Sequence, residues 1–166
     1  MKTADLAPFA GVYQVAYVTS DLNRAMQQFA TSHGVKKFME MRPTRYATGP
    51  GKEAVCNIAM AYAGAVELEI IEPLEGDVQL YRNFLPPDGR FAVRFHHIAT
   101  LFESLDALEA QLTAHRSAGV RIPLDGAAPG SARYFYADFR EQLGHYVESI
   151  YFEPQARSFL EAIPRS

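Results

Sequence analysis

Short runs in which every second residue is apolar alternate along this chain with two longer segments in which apolar residues recur at every third or fourth place. Gln14-Val15-Ala16-Tyr17-Val18 has the strand period, with Gln14, Ala16 and Val18 on one face and Val15 and Tyr17 on the other. Ser20 to Phe29 has the helix period: Leu22, Ala25, Met26 and Phe29 share a face, Ser20 or Asp21 is a natural N-cap, and Gly34 is a natural stop. The same order returns further on. His97-Ile98-Ala99-Thr100-Leu101 reads as a strand, Leu105, Leu108 and Leu112 share one helix face, Ser104 caps that helix and Gly119 stops it.

The two passages form an internal repeat. Gln14 and His97, like Leu22 and Leu105, stand 83 residues apart, and Gly34 and Gly119 stand 85 apart. Each half then runs into β-rich sequence whose last strand carries a glutamate, Glu69 in one and Glu148 in the other, 79 apart. The unit is strand, helix, then strands, twice over. Asp77 to Leu85 predicts a short helix between the halves, with Leu80, Tyr81 and Phe84 to bury and Pro86-Pro87-Asp88-Gly89 to end it. Ala156 to Ile163 predicts a final helix through Phe159, Leu160 and Ile163.

A helix covering one face of a sheet leaves the other face for chemistry. If Val15, Tyr17 and Ile98 meet the helices, Gln14 and His97 point the other way. Glu67, Glu69 and Ile71 do the same if Leu68 and Ile70 are packed, and Tyr146, Glu148 and Ile150 stand opposite Val147. Two repeats related by a pseudo-twofold curl into one cup, which brings Gln14, Glu69, His97 and Glu148 to the centre of its concave face. An amide oxygen, an imidazole nitrogen and two carboxylates suit one divalent metal ion, among Zn, Ni, Co, Mn and Fe.

Other polar residues carry plainer expectations. Strict alternation turns His96 away from His97, toward packing or a hydrogen bond. His33 and His115 end helices, where the dipole favours a cation, and His145 beside Gly144 is structural. Glu67 faces solvent at the cup rim. On the strand from Tyr134 to Asp138 one tyrosine parity lines the cup, which makes Tyr134 and Tyr136 substrate contacts or core aromatics. Arg90 and Arg94 are either solvated charges or a clamp for an anionic substrate tail.

Composition narrows the setting. With 48% hydrophobic and 21% charged residues over 166 positions, the chain can build a core. Sixteen Lys and Arg against nineteen Asp and Glu give a net charge of −3, and no basic stripe follows a phosphate backbone, so nucleic acid is not an expected partner. No apolar stretch reaches the ~18 residues of a membrane helix. The opening Met-Lys-Thr-Ala-Asp lacks signal-peptide character, and the single cysteine, Cys56, forms no internal disulfide. The expected setting is cytoplasmic, without a membrane.

Gln14-Val15-Ala16-Tyr17-Val18 leading to Asp21-Leu22-Asn23-Arg24-Ala25 is one of four segments that carry a family likeness. The others are Glu67-Leu68-Glu69-Ile70-Ile71-Glu72-Pro73, Phe95-His96-His97-Ile98-Ala99 and Leu143-Gly144-His145-Tyr146-Val147-Glu148. Together, from about Gly11 to Pro154, they resemble the vicinal oxygen chelate superfamily, which includes glyoxalase I, methylmalonyl-CoA epimerase, extradiol ring-cleavage dioxygenases and bleomycin-resistance proteins. The resemblance implies an α+β fold of two tandem βαβββ modules, 11–74 and 92–154, forming a cupped mixed sheet with helices on the outer face. A linker with a short helix at 75–91 joins them, and a tail helix at 155–166 follows.

The resemblance also implies metal ligands at Gln14, Glu69, His97 and Glu148, an order similar to that of animal-type glyoxalase I. Ile71-Glu72-Pro73, the linker helix and Phe95-His96-His97-Ile98-Ala99 are more similar to methylmalonyl-CoA epimerase. The chain departs from the epimerases' His-first, Gln-second pattern at Gln14 and Glu69. Gln14 also removes the first of the two histidines that an extradiol dioxygenase needs.

The chemistry implied is Lewis-acid enolisation. A metal neutralises charge building on a carbonyl oxygen while Glu148, or Glu69, takes the neighbouring proton. The expected activity is a metal-dependent lyase or isomerase acting on a small carbonyl compound, a thioester or a thiohemiacetal. One alternative is an iron-dependent extradiol-type ring-cleavage dioxygenase, distinguished by oxygen consumption. Another is a non-catalytic, resistance-type protein that sequesters an aromatic or cationic small molecule, in keeping with nine Tyr and eleven Phe. A C2 homodimer is the default assembly.

Overall fold

A computed structural model describes residues 11–166; the opening Met-Lys-Thr-Ala-Asp lies outside the described residues. The first repeat runs β1 (Val12–Thr19), α1 (Leu22–His33), β2 (Met39–Gly49), β3 (Lys52–Ala63) and β4 (Val66–Gly76). A short α2 (Gln79–Arg82) leads to the second: β5 (Val93–Leu101), α3 (Leu105–Ser117), β6 (Leu124–Ala128), β7 (Ala132–Asp138), a turn of helix α4 (Arg140–Leu143) and β8 (Tyr146–Phe152). A 3-10 turn (Pro154–Ala156) and α5 (Arg157–Ala162) follow.

All eight strands join one sheet in the order β2-β3-β4-β1-β5-β8-β7-β6. Within each repeat the first strand lies parallel to the last, β1 beside β4 and β5 beside β8, and the other pairs are antiparallel. β1 and β5 meet antiparallel at the centre, and the order reads the same from either end once each strand is exchanged for its counterpart. The expected mixed sheet with outer helices is therefore the observed fold.

Asp21 caps α1 by accepting from the Arg24 amide at 3.0 Å, and Gly34, at φ 75°, ends it in the left-handed region where a β-carbon is strained. This helix buries Leu22, Ala25 and Phe29 against Ala59, Ala61, Leu68 and Ile70 on the outer face. On α3, Leu108 and Leu112 pack on Phe135, Ala137 and Tyr151. Leu105, expected on the same face, is 39% exposed, because the helix begins there and its first turn overhangs the sheet. His115 fills the next place on the stripe instead: it is buried, its Nδ1 lies 2.8 Å from the Gln111 carbonyl, and its ring packs edge-on against Phe135 and Phe139. It is thus a core side chain rather than a solvated one at a helix end.

The linker helix is four residues long, shorter than its expected span, though Tyr81 is buried as predicted. The concave side of the sheet holds the largest apolar cluster, which includes Val18, Ile58, Met60, Ile71, Tyr81 and Ile150. Two contacts turn the cup toward a closed barrel. The outermost strands, β2 and β6, come together: Tyr134 Oη donates to the Ala47 carbonyl at 2.9 Å, and a β-carbon on Gly126 would stand 2.2 Å from that same oxygen, so only glycine fits there. The tail crosses the other side. Tyr62 N donates to the Pro164 carbonyl at 2.8 Å and Ser166 N to the Tyr62 carbonyl at 2.9 Å, while Ile163 is buried; α5 is thereby laid over the cavity with Phe159 and Leu160 in its wall.

Candidate active site

The two central strands each carry a bulge, at equivalent places. Between Gln14↔Ala99 and Val12↔Thr100 the register steps two residues on β1 and one on β5, which leaves Tyr13 as the extra residue. Between Ala16↔His97 and Tyr17↔Phe95 the extra residue is His96 on β5. A bulge lets two successive side chains share a face, so Tyr13 joins Gln14, and His96 joins His97, on the concave side. Strict alternation had placed His96 on the opposite face; the bulge overturns that, while its expected role in packing and hydrogen bonding holds.

Register then sets the carboxylates. Ala16 lies beside Glu69 on β4, and Ala99 lies beside Glu148 on β8. His97, fully buried, has its Nε2 3.2 Å from Glu148 Oε2 and 3.5 Å from Glu69 Oε2. The hydrogen bonds behind it fix which nitrogen carries the proton. The Leu80 carbonyl can only accept, so His96 Nε2, at 3.3 Å, donates to it. A neutral His96 then has a bare Nδ1, which accepts from His97 Nδ1 at 2.8 Å. His97 Nε2 is left as a lone pair facing two carboxylates. Burial holds both rings neutral: His97 is lowered to about 3 by burial and by His145, and His96 is held well below the usual imidazole range by burial and by His97.

The acids respond in the opposite sense. Burial pushes Glu148 up to about 8, and it pushes Glu69 well above the carboxylate range with help from the charges of Glu148 and Glu67. Glu67, expected at a solvated rim, is 1% exposed. It accepts from Gln14 Nε2 at 2.9 Å and is raised to about 7 by burial, with that hydrogen bond opposing and Glu148 adding to the shift. Gln14 Oε1 and Glu67 Oε2 are buried without a hydrogen-bond partner among the described residues.

These observations fit a divalent cation. A lone pair and two carboxylate oxygens facing one another repel unless a proton or a metal cation stands among them; the raised Glu148 and Glu69 can supply the proton in the metal-free site, and a divalent ion would take its place when bound. The 3.2 Å separation falls within, and the 3.5 Å separation just beyond, the roughly 3.0–3.4 Å between neighbouring ligands that share an ion through bonds of about 2.1 Å. The orphaned Gln14 Oε1 supplies a further donor of the right kind. As they stand, no three His, Cys, Asp or Glu side chains among the described residues are gathered closely enough to form a complete cage.

Above this floor lies a cavity of ≈ 250 Å³, reached by Gln14, Glu67, Glu69 and Glu148 and walled by tyrosine, methionine and aliphatic side chains. Tyr134 and Tyr136 both line it, as the strand parity predicts, and Tyr136 Oη lies 3.5 Å from His97 Nε2. Arg90 and Arg94 do not join the site: both are exposed and neither lines the cavity, and Arg90 is held by Asp88. His145 is structural, with Nδ1 2.7 Å from the Tyr146 carbonyl and its ring edge-on to Phe95. Tyr13, Tyr46 and Tyr81 complete the aromatic wall; Tyr13 and Tyr46 had no place in the sequence-derived site.

A curved sheet of paired modules with a polar floor on its concave side defines a class before any relative is consulted. The sequence profile of the Glyoxalase/Bleomycin resistance protein/Dioxygenase superfamily matches residues 13–136, and the chain belongs to that superfamily. No curated protein matches in sequence. Among solved structures, the methylmalonyl-CoA epimerase of Mycobacterium tuberculosis superposes with a TM-score of 0.59 at 17% identity, covering 89% of this chain and 91% of that one. A Streptomyces coelicolor methylmalonyl-CoA epimerase in complex with 2-nitronate-propionyl-CoA gives 0.54 at 18% identity, covering 84% and 95%. A hypothetical protein from Bacillus halodurans gives 0.60 at 18% identity, covering 87% and 96%. At these identities the likeness is one of fold. No helix among the described residues is long and apolar enough to cross a membrane.

Proposed function

We propose that the protein is a divalent-metal-dependent isomerase or lyase that moves a proton on the carbon beside a carbonyl group. The observation that carries this reading is the His97 Nε2 lone pair set 3.2 Å from the buried Glu148 carboxylate and 3.5 Å from the mostly buried Glu69 carboxylate. Gln14, Glu69, His97 and Glu148 would hold the ion, which when bound supplies Lewis acidity toward a carbonyl oxygen. The chain's own groups do the rest. Glu148, raised in basicity by burial, is the proton-transfer base, and Glu69 is the second carboxylate. Apolar walls exclude water from the transfer. Tyr136, whose phenol is held protonated by burial and by the charge of Glu148, stands at the edge of the floor as a hydrogen-bond donor to a substrate oxygen.

The test is deuterium exchange. Small carbonyl compounds, a CoA ester among them, are incubated in heavy water with protein loaded with Zn, Ni, Co, Mn or Fe, and proton loss is followed by NMR. Metal-dependent exchange at the carbon beside the carbonyl, lost in Glu148→Gln, is the expected result. No exchange with any metal overturns the reading, and oxygen uptake in its place identifies ring cleavage. The tyrosine-rich wall also favours a second reading, a binding protein for an aromatic molecule. Tight binding without metal or turnover would establish that one.

A further inference from the structure

We infer that the cavity is built for a small aromatic carbonyl compound without negative charge, and against anionic substrates. This deepens the proposed function and rests on it for the word carbonyl; size, charge and aromaticity come from the walls.

Size is set by closure. The β2–β6 seam, held by the bond from Tyr134 Oη to the Ala47 carbonyl and by the close approach of Gly126, shuts one side of the cup. The tail brings Phe159 and Leu160 over the other. What remains is ≈ 250 Å³. A dry cavity of about 150 Å³ takes benzene, so the space between these walls holds one ring with a short substituent, with the mouth of the cup open beyond it.

Charge is set by what lines the space. Three carboxylates, Glu67, Glu69 and Glu148, reach it. Among the described residues the single cationic lining residue is Arg45, whose guanidinium is already engaged by Glu53 at 2.9 Å and Glu75 at 3.2 Å. A divalent ion offsets two carboxylates and leaves Glu67, so a carboxylate or phosphate on the ligand meets negative charge and no free partner.

Aromaticity follows from the wall. Tyr46 stands edge-on to both Tyr81 and Tyr134, and Tyr81 edge-on to Tyr136, with ring centroids 6.4 to 6.5 Å apart. That lattice offers ring edges and faces to a flat guest, the geometry in which aromatic pairs gain most.

The experiment compares α-hydroxyacetophenone with benzoylformate, which share a ring and a ketone and differ in the carboxylate. Binding to the wild-type protein, as purified and after zinc loading, is measured by calorimetry and by tyrosine fluorescence, since the chain has no Trp. The neutral ketone should bind at least tenfold more tightly than benzoylformate, and acetyl-CoA should not bind measurably. Glu67→Gln should narrow the gap by admitting the anion. Equal or tighter binding of benzoylformate or acetyl-CoA overturns the inference, as does failure of the neutral ketone to bind at millimolar concentration. The outcome is separable from that of the proposed function: a protein that binds the neutral ketone without exchanging its proton contradicts only the activity, and one that exchanges protons on anions contradicts only the specificity.

Discussion

The two repeats present the same backbone to the site and different chemistry on it. Gln14 on β1 and His97 on β5 follow equivalent bulges, yet Gln14 has Glu67 beside it on β4, where His97 has Tyr146 beside it on β8. In the second repeat the polar chain is complete: His97 Nδ1 donates to His96, and His96 to the Leu80 carbonyl. In the first, Gln14 donates to Glu67, and two buried oxygens are left with no partner among the described residues. The second repeat is a finished ligand with its tautomer fixed from behind. The first repeat is completed only by what binds. Pseudo-symmetry thus places donors around a centre, and the departures from symmetry decide which donors are pre-set and which respond.

That contrast can be attacked at several points. Glu148→Gln should give the largest effect, a loss of turnover of about 10²- to 10⁴-fold with unchanged circular dichroism, because it removes the base and leaves the sheet intact. Wild-type turnover in that variant would remove Glu148 from the role. Glu67→Gln comes next. A carboxylate can only accept, so it holds the Gln14 amide nitrogen toward itself and Oε1 toward the site; a glutamine at 67 can donate and releases that constraint. Metal affinity, read by competition with a chromogenic chelator, should fall by about 10- to 100-fold. His96→Gln should cost less, near the lower end of that range, because an amide can still accept from His97 Nδ1; an effect larger than that of Glu67→Gln would reverse the contrast between the repeats.

The smallest effect is one of pH on the metal-free protein. His96 and His97 bind protons less readily when folded, so their cost is felt as pH falls below the ordinary imidazole value of 6.5 and is absent above it. Glu67 and Glu148 bind protons more readily when folded, up to about 7 and about 8, so stability is lost as pH rises from 4.5 through those values. Between pH 6.5 and 8 only the carboxylate effect operates, and the unfolding temperature of the metal-free protein should drop by a few degrees there. Bound divalent metal should cancel the drop; a rise over that range would contradict the burial of these acids.

Much of this was legible in the sequence because it is written twice. The repeated spacing exposed both modules, and strand parity correctly faced Glu69, Glu148, Tyr134 and Tyr136 into the cup, since β4, β7 and β8 run regularly through those positions. Parity failed at His96, and the run read from Gln14 did not reach Tyr13, because a bulge inserts one residue and is marked here by no glycine. Glu67 was faced correctly but thought solvated: its burial depends on pairing with Gln14, 53 residues away. Arg90 and Arg94 were drawn in by nearness to His97 along the chain, but proximity in sequence does not carry an exposed side chain into the cavity. The β2–β6 seam depends on strands from different repeats, and no local pattern announces it.

The central claim is that these residues form a metal centre, and the most direct measurement is metal content. Protein purified without chelators or added metals is assayed by elemental analysis, wild type beside His97→Ala. The account predicts about one equivalent of divalent metal in the wild type and its loss in the variant, which keeps its fold. Wild-type protein that holds no metal even after reconstitution with Zn, Ni, Mn and Fe would contradict it and leave the quartet as the polar floor of a binding cup.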